Sequence, residues 1–326
     1  MAMILLFFTL THPNGFLMCE AHRVPMGKLK VAVGKLNFEF PGIVASGIMD
    51  ETGDSMVRMF KSGAGAVVTK SIGSKPRPGH SNPTFTEVEC GYVNAMGLPN
   101  PGIDMFEKEI KTASSEGPVI GSIFGGDEKE FAYLASRMEE FGAVAVELNL
   151  SCPHAAGYGA EIGSDPEMIV SVVSEVKSSV DIPVWAKLTP NTSSIQALGR
   201  AAEKGGADAV VAINTLKAMV ICPELRKPVL SNKFGGLSGP GIKPVGVRAV
   251  YDLYSSLNIP VIGVGGITCW RDAAEYIMAG ASAYQMGSAI GITGPEVFNE
   301  INEGLVSFMK EHGYETVKEM VGVAHE

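Results

Sequence analysis

The stretch PVIGSIFGGDEKEFAYLASRMEEFGAVAVELNL, residues 118–150, holds two apolar runs separated by an amphipathic one. PVIGSIF (118–124) and AVAVELNL (143–150) lack polar alternation, which is how parallel strands buried on both faces read. Between them, DEKEFAYLASRMEEFG (127–142) repeats Phe131, Leu134, Ala135 and Met138 at spacings of three and four, the stripe of a helix lying on a core. Asp127 predicts the N-cap and Gly142 the stop.

The same unit recurs in both directions. Upstream lie GIVASG (42–47) and GAVVTK (65–70); downstream lie PVWAKL (183–188), ADAVVAIN (207–214), PVIGVGG (260–266) and ASAYQMG (281–287), with helical patterns between them. Strand–helix alternation repeated about eight times and ending in a helix predicts an α/β fold, a (β/α)8 TIM barrel. The alternative is a doubly wound open sheet. Against it, no G-x-G-x-x-G follows the first strand; GVGGIT (263–268) comes late, with Thr268 where the third glycine belongs. The connections after strands 2, 4 and 6 (71–117, 151–182 and 215–258) are the long ones, and in a barrel all three leave from the face where active sites form.

A chain of 326 residues, 46% hydrophobic and 19% charged, can bury a large core. Its net charge of −9, with no basic run, argues against a nucleic-acid partner. Cys19, Cys90, Cys152, Cys222 and Cys269 contain no C-x-x-C pair, so neither zinc nor an iron–sulfur cluster is expected here, and a reducing cytoplasm fits best. The opening MAMILLFFTL is too short to span a bilayer, so no stable membrane association is expected. Residues 1–25 read as an extension or a mis-chosen start, with Met26 opening a single domain over 26–326.

The strand ends carry polar groups of a mostly uncharged kind: Thr69, Lys70 and Ser71; Asn149, Ser151 and Cys152; Lys187; Asn214 and Thr215. The turn NAMGLPN (94–100) adds more. No carboxylate pair converges, which disfavours glycosidase chemistry, and Glu147 reads equally well as a satisfied core residue. The six histidines form no H-x-H or H-E-x-x-H, which disfavours a metal hydrolase.

Gly265-Gly266 and Gly287-Ser288 end strands 7 and 8, where barrels bind phosphate because glycine lets backbone N–H groups approach the oxygens. A phosphate site with two lysines and many amides suggests flavin mononucleotide, FMN, whose charge on accepting a hydride Lys187 would stabilise. A flavin-free isomerase or aldolase with Lys187 as Schiff-base lysine, and a non-catalytic nucleotide-binding barrel, are the other readings. Cys152 lies beyond its strand among polar neighbours, which marks it as a reactive thiol, either nucleophile or general base, with His154 nearby.

The ordered set VVTKS, NAMGLPN, ELNLSCP, INT, SNKFGGLSGPGIKP, GVGGI and MGSA, within about Val31 to Val321, resembles the dihydroorotate dehydrogenases, in particular the catalytic subunit of the cytosolic heteromeric class that passes electrons to NAD. The resemblance implies oxidation of (S)-dihydroorotate to orotate in de novo pyrimidine (UMP) biosynthesis. Cys152 would be the general base removing the C5 proton while the C6 hydride passes to flavin N5. Lys70, Asn94, Ala95, Met96, Gly97, Leu98, Asn149, Asn214 and Thr215 would bind substrate. Ser46, Gly47, Lys70, Ser71, Ser122, Asn149, Lys187, Ile213, Gly239, Gly265, Gly266, Gly287 and Ser288 would bind one FMN per chain.

Two positions depart from the family pattern: His154 stands where Asn is usual, and Ser122 where Asn often meets FMN. SCPH and KLTPN (187–191) resemble the dihydropyrimidine dehydrogenases acting on uracil and thymine, the alternative substrate class. That family carries extra cysteine clusters absent from this chain, and GGLSGPGIKP (235–244) reads closer to the dihydroorotate enzymes. The resemblance further implies a separate iron–sulfur subunit with FAD and [2Fe–2S], and a catalytic homodimer within a heterotetramer.

Overall fold

In the computed structural model, residues 26–150 and 162–326 are described; residues 1–25, and Cys152 and His154 within 151–161, lie outside the described residues. Eight parallel strands close into a barrel: β1 (Gly42–Val44), β2 (Ala66–Val68), β3 (Val119–Ile123), β4 (Ala145–Asn149), β5 (Val184–Leu188), β6 (Ala209–Ala212), β7 (Val261–Val264) and β8 (Ala281–Met286). Each lies inside one of the predicted apolar runs. Sequence neighbours pair in space, and β8 closes on β1 through Tyr284↔Gly42, Gln285↔Ile43 and Met286↔Val44. An open doubly wound sheet would leave two edges; closure leaves none.

The helix of 118–150 forms as Glu128–Phe141, with the Asp127 carboxylate accepting the Glu130 N–H and Gly142 left-handed at the C-cap. Phe131, Leu134, Ala135 and Met138 are buried as the spacing predicts. Each large apolar side chain so buried stabilises the fold by about 1.5–3 kcal/mol. The helix seats closely because β3 offers Gly121 beneath it: a Cβ there would stand 2.8 Å from Met138 Cγ.

A second sheet was not legible in the sequence. Phe85–Val88 and Gly91–Asn94, from the connection after β2, join Leu216–Ala218 and Gly235–Ser238, from the connection after β6. The junction is the antiparallel pairing Gly236↔Asn94, Leu237↔Val93 and Ser238↔Tyr92. Two long loops are thereby held as one structure. At the chain's beginning, the hairpin Val31–Val33/Leu36–Phe38 sets Phe38 edge-on against Trp185, near the start of β5.

Candidate active site

A parallel barrel delivers the residue after each strand to one common rim. On this rim the hydroxyls of Ser46, Ser71 and Ser122 are linked, 3.2 Å between the first two and 2.8 Å between the last two. Asn149 Nδ2 donates to Ser71 Oγ at 3.2 Å, and Asn214 Nδ2 donates to Asn149 Oδ1 at 3.4 Å. Residues following β1, β2 and β6 and the ends of β3 and β4 therefore form one hydrogen-bonded arc. Thr69 supports it from behind, its hydroxyl oxygen accepting the Ser122 N–H at 2.9 Å.

Beneath the arc lies a charged floor. Lys187 Nζ donates to Glu147 Oε1 at 3.0 Å and to Gln285 Oε1 at 3.1 Å, and Gln285 Nε2 donates to Glu147 Oε2 at 2.5 Å. Beside the β1 and β2 ends, Asp50 is fully buried and its Oδ2 accepts the Gly47 N–H at 2.5 Å. Burial raises the Asp50 carboxyl to about 6, opposed by the Gly47 hydrogen bond and the charge of Lys70. Asp50 also fixes the next strand end, its backbone oxygen accepting the Lys70 N–H. Lys70 itself is buried and pairs with Glu51 at 3.1 Å.

Two cavities adjoin above the strand ends. The larger, about 650 Å³, is bordered by Ser46, Gly47, Lys70, Ser71, Asn149, Lys187, Ile213, Gly239, Gly265, Gly266, Gly287 and Ser288. The smaller, about 230 Å³, is bordered by Asn94, Ala95, Met96, Gly97, Leu98, Asn149, Asn214 and Thr215. Asn94, Met96, Leu98, Asn149, Asn214 and Thr215 border both. Two expected residues are placed differently. Ser122 borders neither cavity and reaches the arc only through Ser71, because the end of β3 is fully buried. Lys70 borders the larger cavity alone.

Sequence reasoning missed several groups. Glu147 and Gln285 border the larger cavity, and His80, Thr189 and Asn191 the smaller. Asn191 is the organiser among them: its Nδ2 donates to Thr215 O and to Thr189 Oγ1, each at 3.0 Å, and its Oδ1 accepts the Lys217 N–H at 2.8 Å. The KLTPN motif contained that signal and its partner Thr189, but Thr215 and Lys217 lie on the connection after β6.

The larger cavity suits a flat phosphorylated ligand. Its volume falls within the range of about 300–1,000 Å³ usual for ligand pockets. At Gly47 and Gly287, a Cβ would enter open space beside the cavity, with nothing within 4 Å of the first and only Ala45 Cβ at 3.6 Å from the second. The loops after β6 and β7 meet through glycines, since a Cβ on Gly266 would stand 2.8 Å from Gly239 O. Gly265, Gly266, Gly287 and Ser288 thus give the cavity a glycine-rich backbone rim of the kind on which a phosphate can rest, and Lys187 adds its side chain to the same lining.

Residues 28–309 match the family model of dihydroorotate dehydrogenase. The dihydroorotate dehydrogenase B (NAD(+)) catalytic subunit of Pyrococcus furiosus is 57% identical over 91% of this chain and 98% of its own length. The proteins of the same name from Thermococcus kodakarensis and Methanosarcina mazei are 55% and 50% identical, over 92% and 93% of this chain and 99% of their own lengths. Among the described residues, no helix is long and apolar enough to cross a membrane. With the closed barrel, these matches show that the chain belongs to the dihydroorotate dehydrogenase family of oxidoreductases.

Proposed function

We propose that this protein oxidises dihydroorotate to orotate in pyrimidine (UMP) synthesis, with FMN in the larger cavity and substrate in the smaller. The observation that carries the reading is the meeting of the two cavities at Asn94, Asn149, Asn214 and Thr215. A planar ring seated there would find paired donors and acceptors for its N–H and C=O edges. FMN supplies a two-electron acceptor for the C6 hydride.

The chain's own residues divide the remaining tasks. Gly265, Gly266, Gly287 and Ser288 would hold the phosphate, and Lys187 would face the flavin ring with a positive charge. Asn149, bordering both cavities and bonded to Ser71 and Asn214, would align ring and substrate. Cys152, three positions along the chain from Asn149, would take the C5 proton as general base, a role that needs no covalent intermediate.

NAD in the relatives' printed name, together with the words catalytic subunit, supports electron transfer to NAD through a partner. We assign that partner FAD and a [2Fe–2S] cluster, and this chain a homodimer within a cytoplasmic heterotetramer. Co-purification of an iron–sulfur flavoprotein with the native chain tests the assignment, and its absence counts against it.

The catalytic reading is tested by spectroscopy. Purified protein should be yellow, and anaerobic dihydroorotate should bleach it where dihydrouracil does not; bleaching by dihydrouracil alone would move the substrate to the reduced uracils. Cys152→Ala should keep FMN and orotate binding but slow flavin reduction about a hundred- to ten-thousand-fold. Reduction at the wild-type rate would remove Cys152 from the mechanism.

A further inference from the structure

We propose that Glu147 is a positioning residue that sets the redox potential of the bound flavin by acting through Lys187, with Gln285 locking the pair. The inference rests on FMN occupying the larger cavity. It concerns a residue that neither binding nor proton transfer requires.

Glu147 sits on β4 inside the barrel with no exposed surface, where such folds ordinarily place branched apolar side chains. Both of its oxygens are engaged, Oε1 by Lys187 Nζ and Oε2 by Gln285 Nε2, while Gln285 Oε1 takes a second Lys187 N–H. The three side chains, from β4, β5 and β8, thus form a closed ring of hydrogen bonds. An ammonium group has three donors, so one N–H of Lys187 remains beyond the ring. All three residues border the larger cavity.

Stability alone does not account for this arrangement. A buried ion pair loses about as much in desolvation as it gains, and well-packed apolar residues of equal volume commonly do as well or better. What the pair does achieve is electrostatic. Lys187 presents a positive charge to the cavity, and Glu147, 3.0 Å behind the ammonium, offsets it. Because the pair is buried, a charge at this range acts more strongly than it would in water on a ligand whose own charge changes on reduction. Glu147 therefore holds the potential below the value that an uncompensated Lys187 would impose, and Gln285 keeps the carboxylate from turning away.

The test compares Glu147→Gln with Glu147→Asp. Gln conserves shape and removes charge; Asp conserves charge and shortens the reach. Reductive titration of FMN-loaded protein against a reference dye should show E147Q raised by about 30 mV or more, a tenfold change in the two-electron equilibrium. E147D should stay near wild type despite its poorer fit. An unmoved E147Q, or an equal shift in both variants, overturns the proposal, because a purely structural residue would tolerate Gln better than Asp. If E147Q is not recovered folded, the doubly neutral E147Q/K187M decides. The double variant is titrated beside K187M: a potential above that of K187M supports the charge role of Glu147, and equal potentials overturn it. Wild-type protein that takes up no FMN defeats the functional reading itself, whereas loaded wild type beside an unmoved E147Q defeats this inference alone.

Discussion

The two adjoining cavities are walled by different parts of the molecule. The larger draws mainly on barrel strand ends and the loops just beyond them, with its ion pair set between paired strands. The smaller is walled largely by the connections after β2 and β6, which hold their shape through the half-exposed pairing of Gly91–Asn94 with Gly235–Ser238. A closed barrel makes the first wall rigid and nearly unavoidable. The second depends on a few loop-to-loop hydrogen bonds, so on the proposed assignment substitutions there should alter substrate recognition without emptying the larger cavity of FMN.

The sharpest way to break that division is to disturb the larger cavity where its loops touch. Gly266 has φ +71°, and a Cβ on it would press on Gly239 O and Lys243 Cβ, both at 2.8 Å. Left-handed strain of about 1–3 kcal/mol adds to that clash, so Gly266→Ala should weaken FMN retention by a hundredfold or more, read from the flavin-to-protein absorbance ratio. Full flavin content in that variant would show that the phosphate cradle lies elsewhere.

A second effect concerns Asp50, which tethers Gly47 from beneath. Its folded carboxyl titrates near 6 against an ordinary 3.8, so between those values the folded state holds a proton that the unfolded state has released. The contribution of Asp50 to stability is therefore greatest at low pH and falls as pH rises toward 6. Asp50→Asn removes this dependence. The stability difference between variant and wild type should move by about 2–3 kcal/mol in the variant's favour from pH 4 to 7, measured by denaturant unfolding. A pH-independent difference would mean that Asp50 is not held protonated by burial.

The smallest effect tests the second wall. Asn191→Ala removes the bonds to Thr215 O and to the Lys217 N–H, costing about 1–2 kcal/mol. The KM for dihydroorotate should rise roughly tenfold while FMN content stays at the wild-type level. Loss of flavin instead would show that the two walls are mechanically one.

The comparison also separates what could be read in advance from what could not. Every barrel strand falls within an apolar run, and the helix caps at Asp127 and Gly142 stand where composition put them, since both features depend on neighbours a few residues away. Gly265-Gly266 after β7 and Gly287-Ser288 after β8 were legible for the same reason. Ser122, expected beside FMN, borders neither cavity, because its depth depends on Ser71 and Thr69 just beyond the adjacent strand β2. The second sheet escaped notice because its outer strands, Phe85–Val88 and Leu216–Ala218, are short and only partly buried, and its two inner strands, Gly91–Asn94 and Gly235–Ser238, join across more than a hundred positions.

From the sequence alone came the period of the fold, the order of its elements and the side chains offered at the strand ends, because hydrophobic spacing and turn chemistry are local properties of the chain. Tertiary structure alone decided which of those side chains meet. Glu147 and Gln285, 138 positions apart, become partners only when β8 returns to complete the circle, and no local pattern encodes a contact made by closure.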